Sequence, residues 1–374
     1  MFSARGWSFS DSRRRRHRGA YRVVRRGSHL ARVAALLVPL ALALGAVVLL
    51  TSAPSTLTAG SADADRAATS SPAAETMLPL AGAPPASLAT LQPRLALVPT
   101  AVPTLVPTAV PTPTLPPLPA LLPDHLIVAY YGNPLAKEMG ILGEVPPDQM
   151  LGRLKQQAAA YAAADTSRPV LPALELVTPT AQGWPGDDGL FRARMRPELI
   201  DQVAGWAEAN NALLILDVQI GRSSVPAEVE VLMPYLRRPY VHLALDPEFA
   251  MPSGRVPGQV VGTLDAAAID GAVRTLSQLV TAEHLPPKIL VVHRFTEAMV
   301  TNAWEIAHDP NVQVIVTMDG FGPPPLKLAQ YRAYVHDEGV GYSGIKLFYH
   351  HDNPLLSPPQ IVGLDPHPDL IIYQ

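Results

Sequence analysis

The residues of this 374-residue chain best suited to chemistry sit where short apolar runs end. Glu175 ends PVLPALE, Asp217 and Gln219 end LLILDVQ, Asp246 and Glu248 end YVHLALDPE, and Asp319 ends VQVIVTMD. His293 lies in KILVVHRF, Lys346 and Phe348 in GIKLFYHHD, Tyr131 ends LIVAYY, and Tyr373 belongs to the final LIIYQ. Crowded carboxylates raise the pKa of at least one member, so one can stay protonated near neutral pH while another is ionised. That division is what glycoside hydrolysis requires of its two carboxyl groups. The expectation is that Glu248 acts as general acid and Asp319 as the facing carboxylate, with Asp217 and Asp246 holding charge and substrate. Lys346 and His293 would tune those groups or bind hydroxyls, and Tyr131, Glu175, Gln219, Phe348 and Tyr373 would line the substrate. Tyr130, Trp184, Phe249 and Phe321 lie near the same run ends and offer flat faces for sugar rings or ordinary packing.

Eight such runs alternate with helical stretches, as a (β/α)8 barrel requires, and such barrels carry their chemistry at the C-terminal ends of the strands. The pattern predicts helices over 148–164 with Asp148 as N-cap, 197–210 with Leu199, Val203 and Trp206 on one stripe, 265–284 capped by Asp265, 297–308, and 325–338. Strand side chains alternate between the barrel interior and the helix layer. His242, Ala244, Asp246 and Glu248 therefore share a face, as do Asp217 and Gln219, His293 with Ile289 and Val291, Asp319 with Ile315 and Thr317, and Lys346 with Gly344 and Phe348. The polar set is expected to converge on one mouth. No G-x-G-x-x-G, Walker or G-x-S-x-G sequence follows any run, so a nucleotide-binding sheet and a serine triad are both disfavoured, and no cofactor is expected.

Asp246-Pro247-Glu248 resembles the D-x-E ending of the family 18 chitinase strand, without the longer D-x-x-D-x-D-x-E run. That resemblance implies an acid role for Glu248 and a role for Asp246 in positioning an acetamido group. Over most of 124–374, through LIVAYYGNP, LDPEF, VVHRF, MDGFG, IKLFYHHD and LIIYQ, the chain resembles a group of exported actinobacterial and chloroflexal proteins with a barrel-like, distantly glycosidase-like domain. This implies export and the barrel, and names no reaction. The sequence departs from many barrel glycosidases at the seventh strand, where they carry a catalytic Glu and this chain has Lys346.

Two other classes stay open. His293, Asp217, Asp319, His350, His351 and Asp352 have metal-ligand chemistry, yet no H-x-H or H-E-x-x-H occurs, and adjacent His350 and His351 on a strand would point to opposite faces. A non-catalytic module binding a glycan or a partner would show the same polar mouth. His125, His242, His284, His308, His336 and His367 read as strand-flank, core or helix-end residues.

The net charge of −3 conceals strong segregation. Residues 1–32 hold ten Arg against one Asp, 33–122 two Arg against three acids, and 123–374 seventeen Lys and Arg against twenty-eight Asp and Glu. An acidic folding segment argues against nucleic acid as a partner. Arg192, Arg194 and Arg196 form a local cluster that reads as a solvated loop edge or a site for one anionic group. With no cysteine, disulfides and thiolate sites are excluded. Val33 to Leu50 is an uncharged apolar run after a basic segment, about the length that crosses a bilayer, and reads as an uncleaved anchor or a cleaved signal. Either predicts a domain outside the membrane, tethered or secreted. Residues 51–122, rich in Ala, Pro and Thr with Val-Pro-Thr repeats, read as a disordered or polyproline-II spacer before a single barrel domain at 123–374. The expected partners are a carbohydrate or other small polar substrate and the membrane.

Overall fold

The computed structural model describes residues 118–251 and 254–374. The basic segment, the apolar run and nearly all of the spacer lie outside the described residues. Among the described residues no helix is long and apolar enough to cross a membrane.

Eight parallel strands close into a barrel: β1 Leu126–Gly132, β2 Val170–Val177, β3 Leu213–Val218, β4 Val241–Leu245, β5 Lys288–Arg294, β6 Val312–Met318, β7 Tyr342–Leu347 and β8 Leu370–Tyr373. Each pairs with its neighbours in chain order, and β8 closes on β1 with Ile127 opposite Leu370 and Tyr130 opposite Tyr373. The principal helices are α1 Pro147–Ala164, α2 Pro197–Ala209, α3 Val225–Leu236, α4 Ala266–Glu283, α5 Pro324–Tyr331, which runs on as a π-helix over Arg332–His336, and α6 Pro358–Val362. The expected (β/α)8 architecture is the one observed.

The alternation of side chains divides the apolar core in two. Ile127, Ala129, Ala173, Ile215, Ala244, Val291, Ile315 and Ile372 belong to a cluster inside the barrel, whereas Val128, Leu174, Leu216, Leu243, Val292 and Ile371 pack with the helices. Position 344 on β7 is a glycine where a Cβ would run into the Thr317 side chain. The N-terminal end of the barrel is plugged by Leu122, whose backbone N–H and carbonyl both bond to the Gln313 side-chain amide, at 3.2 and 2.8 Å. Nearby, buried Lys288 donates to the carbonyls of Arg238 and Val241, and the Nδ1 of His242 accepts from the Ile289 N–H. His242 is thus a core residue, as expected, although its Nε2 has no hydrogen-bond partner among the described residues.

Several local expectations need correction. The N-cap of α1 is Pro146, and Asp148 falls in the first turn, where its charge suits the helix dipole without capping it. The buried stripe of α2 is Ile200, Val203, Ala204 and Ala207, with Leu199 and Trp206 at its edges. Between β5 and β6 the α-helix expected over 297–308 is replaced by 3-10 turns at Glu297–Met299 and Ala303–Glu305 around a two-residue strand, Val300–Thr301. β-Branched Val300 and Thr301, followed by Asn302 at φ 57°, break the helical run. Asp265 does cap α4, accepting from the Ala267 N–H at 3.0 Å. Arg192 is buried and Arg194 is exposed, yet neither is free: both donate to the buried carboxylate of Glu228 on α3.

The loops after β6 and β7 are joined by a buried ion pair, Lys327 with Asp352 at 3.0 Å. Lys327 also donates to the carbonyls of Gly320 and Lys346, while Asp352 accepts from the N–H groups of Gly322 and Phe348. Removing one member of such a pair leaves an uncompensated buried charge. Lys327→Met should therefore lower unfolding free energy by about 3–5 kcal/mol, read as a shift in the urea midpoint. A change of less than about 1 kcal/mol would mean that the backbone contacts of Asp352 suffice without the lysine.

Candidate active site at the barrel mouth

Strand register delivers the site. Tyr131 lies opposite Glu175, and Val177 opposite Asp217, so β1, β2 and β3 send tyrosine and carboxylates inward at adjacent heights. Asp217 in turn pairs with Ala244, two residues before Asp246, and Thr317 pairs with His293, two residues before Asp319. Glu175, Asp217 and His293 are wholly buried, and Tyr131, Gln219, Asp246, Asp319 and Lys346 nearly so.

His293 is the hub. Its Nε2 lies 2.8 Å from Glu175 Oε1 and 3.9 Å from Asp217 Oδ1, and its Nδ1 lies 3.2 Å from Asp319 Oδ2. Lys346 Nζ sits 3.3 Å from both oxygens of Asp319 and 3.5 Å from the centre of the Tyr131 ring, a cation–π contact. Tyr131 donates its hydroxyl hydrogen to Asp217 Oδ2 at 3.0 Å, and Gln219 donates to Asp246 Oδ2 at 3.2 Å. The other end of the Gln219 amide accepts from the Ala181 N–H, which fixes its orientation. Glu175 Oε2 and Asp217 Oδ1 have no hydrogen-bond partner among the described protein groups.

The charges divide the carboxyl groups into two kinds. Burial would raise the pKa of Asp319, but Lys346 and His293 outweigh it and hold the group below the usual carboxylate range. Burial pushes Asp217 up to about 8, opposed by His293 and reinforced by Asp246. Asp246 is raised by burial and by Asp319. Glu248 is raised well above the ordinary value by desolvation and then by Asp246 and Asp319. Burial acts to lower His293, but Glu175 and Asp319 prevail and raise it well above an ordinary imidazole. The mouth thus holds two cations, an ionised Asp319, and carboxyl groups pushed toward the protonated form, Asp217 and Glu248 most strongly.

The fold brings together Tyr131, Glu175, Asp217, Gln219, Asp246, His293, Asp319 and Lys346, as the alternation predicts. Glu248 departs from the expected strand face. The strand stops at Leu245, Asp246 caps a 3-10 turn over Pro247–Phe249 by accepting from the Glu248 N–H, and Glu248 rides on that turn, partly exposed. Phe348 lies beyond the end of β7, 5.4 Å by its ring centre from Lys346 Nζ and packed edge-on to Phe321. Tyr373 is a correction: it points to the helix layer, stacked on Tyr349 and bonded to the Tyr161 hydroxyl at 2.9 Å, and cannot line the mouth. Tyr130 lies with it on that side.

His350 and His351 lie past β7 in an exposed turn, so the expectation that they alternate along a strand does not apply. Asp352 is committed to Lys327. Donor atoms of Glu175, Asp217 and His293 do lie within 4.8 Å of one another. Both nitrogens of His293 already face carboxylates, however, and Lys346 adds positive charge, so this set fits an ion network better than a metal ion. Lys327, which donates to the Lys346 carbonyl and so steadies β7, was invisible in sequence because nothing distinguishes it from a surface lysine on a short helix.

No family model and no curated relative matches the chain. Solved structures similar to the chain include two mannanases. A ruminal GH26 endo-β-1,4-mannanase aligns at 9% identity with a TM-score of 0.34, covering 66% of this chain and 58% of its own. A β-mannanase from a symbiotic protist of the termite Reticulitermes speratus, complexed with gluco-manno-oligosaccharide, aligns at 12% identity with a TM-score of 0.35, covering 67% of this chain and 79% of its own.

The raised pKa of Asp217 has a signed consequence for stability. Between the ordinary carboxylate value and about 8 the folded state retains a proton that the unfolded chain has lost. That contribution is complete at acid pH, declines as pH rises, and is gone above the folded value. Lys288, lowered by burial to about 7, acts in the opposite sense over the alkaline range, so the test is a difference between variants. Asp217→Asn should become progressively more stable relative to the wild type from about pH 5 to about pH 8, with no further relative change above. A pH-independent difference in urea midpoints would show that Asp217 ionises normally.

Proposed function

We propose that the protein is a glycoside hydrolase-like enzyme acting on a carbohydrate by carboxylate acid–base chemistry at the barrel mouth. The observation that carries this reading is that one mouth holds Asp319, in contact with two cations that lower its pKa, and the partly exposed Glu248, whose pKa burial, Asp246 and Asp319 raise. Two titratable groups whose environments push their pKa values apart make an acid–base pair.

In this scheme Glu248, the carboxyl of the set with exposed surface, protonates the departing glycosidic oxygen. Asp319 is the anionic partner that attacks the sugar or activates water, its charge maintained by Lys346 and His293. Asp246 and Gln219 bind substrate hydroxyls, and Glu175 keeps His293 protonated. Tyr131, braced by Asp217 and Lys346, forms one wall, and Phe348 with Phe321 forms an apolar rim. The mannanase descriptions of the similar structures add mannans to the substrates worth testing. The apolar run at 33–50 supports a companion proposal, that this barrel works outside the cytoplasmic membrane, tethered or released.

The full-length protein should release reducing ends from at least one member of a panel of cell-wall and storage polysaccharides. Glu248→Gln should lower kcat by about 10²–10⁴-fold, the usual effect of removing a positioned acid, and Asp319→Asn by a similar factor. In the wild type, activity should fall on the alkaline side as Glu248 loses its proton. Turnover that survives both substitutions would reject these assignments. Activity abolished by a chelator would favour metal-dependent hydrolysis through the Glu175, Asp217 and His293 cluster, and glycan binding without turnover, unchanged by Glu248→Gln, would favour a non-catalytic module.

A further inference from the structure

Consecutive tyrosines on β1 serve opposite sides of the barrel wall. Tyr131 points into the mouth, whereas Tyr130 lines a separate cleft of about 340 Å³ formed with the short helix Ile141–Glu144, with α1 and with the turn after β7. None of the mouth carboxylates lines this cleft. Its volume is at the lower end of the range for small-molecule sites, about 300–1,000 Å³, enough for a single small ring.

The lining is organised before any ligand arrives. Tyr349 stacks on Tyr373 with ring centres 5.0 Å apart, and its hydroxyl lies 3.1 Å from that of Tyr130. The Gln157 amide bridges the cluster, donating to the Tyr373 hydroxyl at 3.0 Å and accepting from Tyr349 at 3.4 Å. Arg153, one helical turn before Gln157, has no ion-pair or hydrogen-bond partner among the described residues, and Gln156 beside it is likewise exposed with no side-chain hydrogen bond among them. Its guanidinium acts on the hydroxyls of both Tyr130 and Tyr349, countering the upward push of burial.

The chemistry selects a ligand class. A phosphate-bearing ligand calls for more than one free cation, and Glu144 places a carboxylate on the same lining, paired with His350 at 3.2 Å. An apolar ligand calls for an apolar wall, yet Ile141 is the lone aliphatic lining residue. Tyrosine rings and hydroxyls beside side-chain amides and one guanidinium suit a ring that carries hydroxyl groups on its rim and C–H groups on its faces.

We infer that this cleft is a second carbohydrate site, holding one sugar ring through Arg153, Gln156 and Tyr349, with the buried Tyr130 bracing Tyr349 from beneath, back to back with the mouth across the end of β1. It does not depend on the mouth being catalytic. The full-length protein carrying [13C]tyrosine should be titrated with glucose, mannose, galactose and N-acetylglucosamine, and separately with inorganic phosphate, while the Tyr130, Tyr349 and Tyr131 resonances are followed. At least one sugar should shift Tyr130 or Tyr349 saturably, with a Kd on the order of millimolar, and Arg153→Ala combined with Gln156→Ala should weaken that response by about tenfold or more. Both substituted residues are exposed, so the variant should fold normally, as an unchanged urea midpoint would confirm. The inference is overturned if no sugar shifts either resonance, if the response persists in the double variant, or if phosphate alone produces it. A sugar that shifts Tyr131 alone also overturns it, while leaving the reading of the mouth intact.

Discussion

Two buried cations, Lys346 and His293, set the protonation pattern on which the rest of the mouth depends. Neither could remain charged inside a barrel without carboxylate partners, and Asp319, which both contact, could not remain ionised there without them. Once those partners are matched, little positive charge is left to offset the burial of Asp217, Asp246 and Glu248, and the pKa of each is raised. The lowered Asp319 and the raised carboxyl groups thus arise from one charge balance. The apolar layer beneath, from Ile127, Ala129, Ile215, Val291 and Ile315, makes that balance strict by excluding water from below. The ties from Lys327 and Asp352 to the loops after β6 and β7 then keep Lys346 and Asp319 at a fixed separation.

Much of this was legible in the sequence because a polar residue in an apolar strand reveals which face is inward. Asp217 and Gln219, His293, Asp319 and Lys346 each mark the phase of their strand, and each lies where its phase places it. β8 offers no such mark. LIIYQ is apolar through Ile372, so the sequence could not say whether Tyr373 or its neighbour faced inward, and the helix layer took the tyrosine. The paired Tyr130 and Tyr131 pose the same ambiguity, settled by closure with β8 through the Tyr130–Tyr373 register.

Proline and β-branching account for other departures. Pro247 cannot donate a ladder hydrogen bond, so β4 stops before it and Glu248 swings onto a 3-10 turn. Across the β5–β6 connection, Val300, Thr301 and Asn302 defeat a helix that its apolar spacing alone would support. The clamp of Arg192 and Arg194 on Glu228 was hidden for a different reason: a charge cluster looks alike whether its partner is solvent or a buried carboxylate more than thirty residues away. Long-range pairing of that kind leaves no local trace.

Infrared difference spectroscopy at neutral pH tests the central claim most directly, because a protonated carboxyl has a C=O stretch well separated from the carboxylate bands. The account predicts a protonated-carboxyl signal in the wild type that diminishes in Glu248→Gln and, separately, in Asp217→Asn, and that also diminishes in Asp319→Asn, where Lys346 and His293 lose their counter-charge and the remaining carboxyl groups lose a neighbour that raises them. Complete ionisation of the mouth carboxylates at neutral pH, with no such signal to lose, would contradict it.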